Sequence, residues 1–299
     1  MFLSRQRSPA GRIPYKRYLG APIRYAGGKS LATGIIIEQI PGDIRRLVSP
    51  FIGGGSIEVA CAVEIGIPTV GYDVFDVLTT YWKAQLRHPA ALYERLSRFE
   101  ATPEEFRRAK ETLRQHWKKE RRDLHWLDVA ALYYFTHNTS YGPGFLSWPS
   151  YIYMNQDRYE KMIKKVAQFA APNLTVEQAS FETVLPKHRN DFLYCDPPYY
   201  LGRDTKMFRG IYPQRNFPIH HNGFDHALLK DLLNRHKGGF LLSYNDCPQI
   251  REWYADYEIS TPSWQYTLGQ GETRIGKYRP DGNHVKQSHE LLIYAPPAA

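Results

Sequence analysis

Cysteine is scarce in this chain: Cys61, Cys195 and Cys247 are the only three, and they lie far apart. Thiols so few and so widely spaced exclude a disulfide framework or a cysteine metal cluster and read as reduced. Long apolar runs are missing too; none reaches the roughly 18 residues that mark a membrane span. Met1 to Gly11 carries Arg5 and Arg7 without an apolar stretch behind them, so no secretory signal is expected and the expected location is cytoplasmic. Acid is absent from the first 37 residues, where Arg5, Arg7, Arg12, Lys16, Arg17, Arg24 and Lys29 are interleaved with Tyr15, Tyr18 and Tyr25. With a formal net charge of +9 over the chain, this distribution favours a polyanionic partner. At 299 residues and 42% hydrophobic content, the chain can bury one large core with a subdomain attached.

What is present begins with Phe192-Leu193-Tyr194-Cys195, an apolar strand former that ends abruptly in Asp196-Pro197-Pro198-Tyr199-Tyr200. Proline cannot continue a hydrogen-bonded ladder. The two prolines therefore fix the backbone just past the strand and present the Asp196 carboxylate, the Pro197 carbonyl and the Tyr199 ring at one spot. Carboxylate and carbonyl together can accept both hydrogens of an amino group, and an aromatic face can stack on the ring that bears it. The pattern predicts a pocket for a planar, amino-bearing heterocycle.

A nucleotide-binding β-α unit is predicted upstream. Leu47 to Phe51 reads as a strand, Gly53-Gly54-Gly55 as a turn, and Ser56 to Glu64 as a helix with Ser56 at its N-cap. The next strand, Pro68 to Tyr72, ends in Asp73, about 20 residues past the turn, where an acid can accept hydrogen bonds from both ribose hydroxyls. The turn is not G-x-G-x-x-G, so a single nucleoside cofactor fits better than a dinucleotide. Earlier still, Tyr25-Ala26-Gly27-Gly28-Lys29-Ser30 shares its Gly-Lys-Ser with phosphate loops, but Ile23 stands where that motif needs its first glycine. The segment still makes a loop where backbone can approach a ligand and the Lys29 ammonium can meet a carboxylate.

Between Val77 and Phe169 the pattern turns helical. Glu104 to Asp123 is charge-dense, with Arg114 and Lys118 among its bases; Leu127 to Phe135 is apolar; Tyr159 to Phe169 is amphipathic. The long turn from Thr136 to Trp148 holds Asn138, Tyr141, glycines and aromatics, and is expected to contact bases and backbone. The α/β pattern returns at Leu174 to Val176, continues through a strand at Gly239 to Tyr244, and closes with Ile259 to Tyr266 and Glu290 to Tyr294 as an antiparallel edge pair. Leu201 to His221 reads as a mobile cover over the site.

In this order the motifs resemble the Dam-type DNA adenine-N6 methyltransferases, over about residues 22 to 295. The resemblance is carried by Tyr25 to Ser30, Pro50 to Ser56, Asp73, Asp191 to Tyr199, Ser243-Tyr244-Asn245-Asp246 and Glu290-Leu291-Leu292-Ile293. It implies an α/β, Rossmann-like S-adenosylmethionine-dependent methyltransferase fold with an inserted, mainly helical target-recognition domain. The expected division is a basic arm (1–21), a first catalytic part (22–80), the insert (81–170) and a second catalytic part (171–299). The implied reaction moves a methyl group from S-adenosylmethionine to N6 of an adenine flipped out of duplex DNA, at a specific site and with no metal required. Duplex DNA is the implied partner, with or without a companion restriction endonuclease, and the protein would lie on the nucleoid when bound.

Carried over by resemblance, Lys29 would meet the methionine carboxylate of the cofactor, and Tyr25, Gly28, Phe51, Gly53 and Gly55 would line that half of it. Asp73 would hold the ribose, while Val74, Ser180 and Phe181 would flank the cofactor's adenine. Asp196, which also faces the cofactor, would hold the target amino group with Pro197, Pro198 and Tyr199. Arg24, Arg114, Lys118, Asn138 and Tyr141 are the expected DNA contacts. Three departures are visible. Ile52 replaces the family's alanine, Ser180 replaces its usual acid, and its recognition-loop pattern survives only in Phe135 to Thr139 and Tyr141-Gly142, so the family's best-known target sequence is not transferred. On the residues alone, an RNA or other amino-group methyltransferase and an inactive DNA-binding protein of the same fold stand beside this reading; cytosine-N4 enzymes, which often carry Ser before the prolines, are disfavoured by Asp196.

Overall fold

A computed structural model describes residues 2–7, 15–142, 144–200, 223–262 and 290–298. Its strands are short, and the central ones are buried on both faces, which suits a parallel sheet covered on each side. They are β1 (Leu47–Ser49), β2 (Thr69–Asp73), β3 (Leu174–Gln178), β4 (Phe192–Cys195), β5 (Phe240–Asn245), β6 (Glu258–Ser260) and β7 (Glu290–Ala295). Together they form one seven-stranded sheet in the order β3-β2-β1-β4-β5-β7-β6. Pairing is parallel from β3 through β5, and β7 runs antiparallel between β5 and β6. This is the class I methyltransferase arrangement. Strand order reverses at the centre, where Leu47 lies opposite both Thr69 and Phe192. Crevices at such a switch point are where open α/β sheets bind ligands.

Alternation along the strands divides the core. Leu47, Phe192, Tyr194, Leu241 and Leu292 point into one buried cluster; Val48, Leu193, Cys195, Leu242 and Ile293 point into another. Helices α9 (Phe181–Lys187), α10 (His226–Asn234) and α11 (Pro248–Trp253) close the second through Val184, Leu229, Leu233 and Ile250. The first is closed by α2 (Thr33–Glu38) and α4 (Asp76–Arg87), with α1 (Phe2–Gln6) packed outside α2. It then continues into α5 (Pro89–Leu96), α6 (Pro103–Trp117), α7 (Trp126–Asn138) and α8 (Gln156–Gln168). These helices enter between β2 and β3, and Leu92, Phe106, Phe135 and Tyr159 join them to the sheet's own core. The inserted helices therefore cannot be removed without exposing a shared apolar surface.

Local chemistry sets several boundaries away from the expected ones. Gly55, not Ser56, is the N-cap of α3 (Ser56–Val59): it takes a left-handed φ of 67° and no side chain caps the helix. The glycine turn supplies that conformation directly, leaving Ser56 as the first helical residue. After Val59 the helix loosens into a π-helical stretch, Ala60–Ile65, and stops at Gly66 with φ 85°. Helix α6 starts on a Thr102 hydroxyl that accepts from the Glu105 N–H, but ends at Trp117 rather than Asp123. There the N–H groups of Glu120 and Arg121 both turn back to the Gln115 carbonyl. Helix α7 runs to Asn138, three residues past the apolar stretch expected to end at Phe135, so the following turn is shorter. The expected cover, Leu201 to His221, and the segment from 263 to 289 lie outside the described residues. Among the described residues no helix is long and apolar enough to cross a membrane.

Candidate active site at the switch point of the sheet

A cavity of about 380 Å³ opens at the C-terminal ends of β1, β2 and β4, a volume in the range of small-molecule sites. It is lined by the Tyr25 to Lys29 loop, Pro50 to Glu58, Asp73 to Phe75, Ala179 to Glu182, Tyr194, Asp196 to Tyr199 and Gly223 to Asp225. All eleven residues expected at the cofactor, and all four expected at the target amino group, are among these.

Its floor is the glycine turn after β1. A Cβ on Gly54 would fall 2.5 Å from the Tyr25 Cβ, and one on Gly55 would fall 2.6 Å from the Trp82 ring. Glycine is required because two aromatic side chains occupy the space a methyl would fill. Trp82 then fixes the turn by donating its indole N–H to the Gly53 carbonyl at 3.0 Å. Ile52, the departure from the family's alanine, is accommodated on β2: a Cβ on Gly71 would lie 2.4 Å from Ile52 Cδ1. At the end of β2, Asp73 accepts the Gly53 N–H at 3.2 Å and the Phe75 N–H at 3.0 Å. These two bonds hold the carboxylate against the glycine turn at the edge of the cavity. An apolar wall is built by Phe51, Phe181 and Phe224, whose ring centroids are 5.1 to 5.8 Å apart, with Val74 half-exposed beside Asp73. Ser180 caps α9 by accepting the Glu182 N–H.

The ceiling is polar. Lys29, only 4% exposed, donates to both Asp196 oxygens at 2.7 and 2.8 Å and to the Gly27 carbonyl at 3.1 Å. Its ammonium also lies 5.1 Å from the centre of the Tyr199 ring. Burial works against the charge on Lys29, but Asp196 and then Glu290 outweigh it, so the ammonium is held above its ordinary range. Burial raises the Asp196 carboxyl, with Lys29 pulling the other way. Burial also drives the Tyr199 phenol well above its ordinary range, so it stays protonated. Behind them the Tyr194 and Ser243 hydroxyls share a 3.1 Å hydrogen bond, and Asn245 donates to the Tyr200 carbonyl at 3.0 Å, tying the end of β5 to the chain just past the prolines.

Two acids here were not anticipated as site residues. Glu58, buried in α3, accepts the Ser49 hydroxyl at 2.6 Å, and burial pushes its carboxyl up to about 7. Glu290, first residue of β7 and buried, is likewise raised by burial to about 7. An acid at the mouth of the apolar run Leu291 to Tyr294 was the available signal for Glu290. Phe224 carried none, since its partners Phe51 and Phe181 are distant in sequence.

The expected DNA contacts divide by exposure. Asn138 is 1% exposed: its amide accepts the Arg24 backbone N–H at 3.0 Å and donates to the Tyr134 carbonyl at 3.0 Å. Arg24 in turn donates to the Asn138 carbonyl at 2.7 Å and lies 4.0 Å from the Tyr153 ring centre. These two residues brace the loop after α7 against the Tyr25 motif. Arg114 is paired with Glu111 and Glu120, while Lys118 stands on the surface. Tyr141 is 60% exposed, and its unanticipated neighbours Trp148, Tyr151 and Ile152 are exposed as well.

The cavity is ringed by the acid at the end of β2, the wall of three phenylalanines and the Asp196 to Tyr199 turn, and it lies at the switch point of a sheet with the strand order of the class I S-adenosylmethionine-dependent methyltransferases. The chain belongs to the D12 class N6 adenine-specific DNA methyltransferases, matching that family over residues 25–268. No curated protein matches it. Its cofactor is S-adenosylmethionine, and its activity is methylation of adenine N6 in DNA.

Proposed function

We propose that the cavity divides between cofactor and target base at Asp196. Tyr25, Gly28, Lys29, Phe51, Gly53, Gly55, Asp73, Val74, Ser180, Phe181 and Asp196 hold S-adenosylmethionine; Asp196, Pro197, Pro198 and Tyr199 hold the flipped adenine. The observation that carries this reading is the pairing of the buried Lys29 ammonium with the partly exposed Asp196 carboxylate beside the Tyr199 ring. The cofactor supplies a methyl group already activated on a sulfonium, so the protein's contribution is alignment and a place for positive charge. Asp73 accepts from the ribose hydroxyls. Asp196 and the Pro197 carbonyl accept from the amino group and favour its nitrogen as it becomes cationic. Tyr199 stacks on the extruded base. Lys29 directs its donors to Asp196 and Gly27 and reaches a cofactor carboxylate by exchanging one of them.

The partner is duplex DNA, met by the face that carries Tyr141, Lys118, Trp148 and Tyr151, with Arg24 and Asn138 setting the position of the loop from within. The methylated sequence in cellular DNA would identify the site, and a companion restriction endonuclease would be one that cuts the same sequence only when it is unmethylated. The division into an arm (1–21), a first catalytic part (22–80), an insert (81–170) and a second catalytic part (171–299) is supported by α5 to α8 lying between β2 and β3, while α4 (Asp76–Arg87) spans the limit at 81 and packs on both the sheet and α7.

The test is single-turnover methylation on matched duplexes and on duplexes with a mismatch opposite the target adenine. Asp196→Ala is expected to slow transfer at least about a hundredfold, because its bond strengthens in the transition state. Tyr199→Ala is expected to lose about 1–3 kcal/mol of base stacking, and the mismatch should partly rescue it by lowering the cost of extrusion. Equal rescue of both variants would contradict this division of roles.

A further inference from the structure

Glu290 begins β7 opposite Asn245 of β5, beside the site rather than in its lining, and is 3% exposed. Carboxylates so deep are ordinarily hydrogen-bonded. Among the described residues neither Glu290 oxygen makes a hydrogen bond of good geometry, and Oδ1 of its cross-strand neighbour Asn245 lacks one as well. The Tyr199 hydroxyl is nonetheless close enough to favour the Glu290 anion, and Lys29 acts on it in the same sense. The groups that act on it are Lys29 from the Tyr25 loop and Asp196 and Tyr199 from the turn after β4, with Asn245 of β5 across the strand pair; Glu58 acts on the same Lys29 and Asp196. Lys29 is the one cation in that set, against the carboxyl groups of Asp196, Glu290 and Glu58.

We propose that Glu290 is a positioning residue for methyl transfer: as a carboxylate it anchors the Lys29 ammonium and the Tyr199 hydroxyl, and protonation releases both. The proposal rests on the reading that Asp196 and Tyr199 hold the target base. With Glu290 ionised, Lys29 keeps an anionic neighbour while Asp196 turns a lone pair to the adenine amino group, and the Tyr199 ring is fixed by its hydroxyl. With Glu290 neutral, the ammonium is left to Asp196 alone and competes with the amino group for the same oxygens. Burial holds this carboxyl near 7, so the rate is lost as pH falls through neutrality.

Two measurements test this. The first is the single-turnover rate between about pH 6 and pH 9. Glu290→Gln is expected to slow transfer about tenfold or more at the alkaline end, from loss of a bond to a charged group, and to flatten the acid limb. Glu290→Asp should keep the limb at a reduced rate, and Glu58→Gln should keep it whatever its rate. The second is carbon NMR of side-chain carboxyls in glutamate-labelled protein, in which a signal titrating near neutrality should vanish in Glu290→Gln. An unchanged rate and profile in Glu290→Gln, or a limb lost in Glu58→Gln instead, would overturn the proposal. Should Glu290→Gln fail to fold, Glu290→Asp decides: an acid midpoint and rate both identical to the parent would overturn it. Asp196→Ala at the parent rate would instead sink the underlying reading, which separates the two failures.

Discussion

Glu58 shows how one side chain couples ligand chemistry to stability. Its carboxyl has an ordinary value of 4.5 and is raised by burial to about 7 in the folded chain. The native state therefore holds a proton that the unfolded state has released between these values. Stability contributed by that proton is present below the unfolded value and is lost as pH rises toward the folded one. Glu58→Gln keeps an acceptor for the Ser49 hydroxyl and removes the charge. It is expected to be more stable than the parent at pH 8 by on the order of 1–3 kcal/mol, and by much less at about pH 4.5; urea unfolding at both pH values checks this. An equal difference at the two would show that Glu58 is not titrating. A single acid inside an apolar helix gives no periodic signal, which hides Glu58, whereas Glu290 is visible at the mouth of its apolar run but nothing in the sequence ties it to the distant Lys29 and Tyr199. Asp73 and Asp196 were legible because each ends a strand beside a turn, where a carboxylate has no packing value and a directional one.

At the scale of elements, the glycine turn after β1 is determined by what lies against it. Gly54→Ala would bring a methyl to 2.5 Å of Tyr25 Cβ, an atom close to backbone that cannot swing aside. The variant is expected to lose about 1–3 kcal/mol in thermal or urea unfolding, and cofactor affinity should fall with it because Tyr25 lines the same cavity. Unchanged values would mean the loop of Tyr25 moves freely. The strands around this turn were readable because central parallel strands are apolar on both faces, as Phe192 to Cys195 and Phe240 to Asn245 are. Helix ends were less so. The Gly55 cap and the early stop of α6 depend on backbone bonds, to Ile52 and to Gln115, that residue type does not announce. The burial of Asn138 is hidden for a related reason: a polar residue after an apolar helix reads as exposed, yet its partner Arg24 lies over a hundred residues away.

Across the whole molecule, the net charge of +9 and the exposed aromatic groups after α7 belong to one expectation, association with a polyanion that carries stackable rings. Affinity for duplex DNA should fall steeply and log-linearly with salt, since each neutralised phosphate releases counterions. Fluorescence anisotropy from low to physiological salt measures the slope, and a flat response would remove DNA as the partner of this face. The central claim is that the cavity delivers a methyl group to adenine N6 through the Asp196 turn. Its most direct test is incubation of the protein with duplex DNA and methyl-labelled S-adenosylmethionine, followed by digestion to nucleosides and mass spectrometry. The account predicts label in N6-methyldeoxyadenosine, with almost none from the Asp196→Ala variant; label in N4-methyldeoxycytidine, or undiminished labelling by that variant, would contradict it.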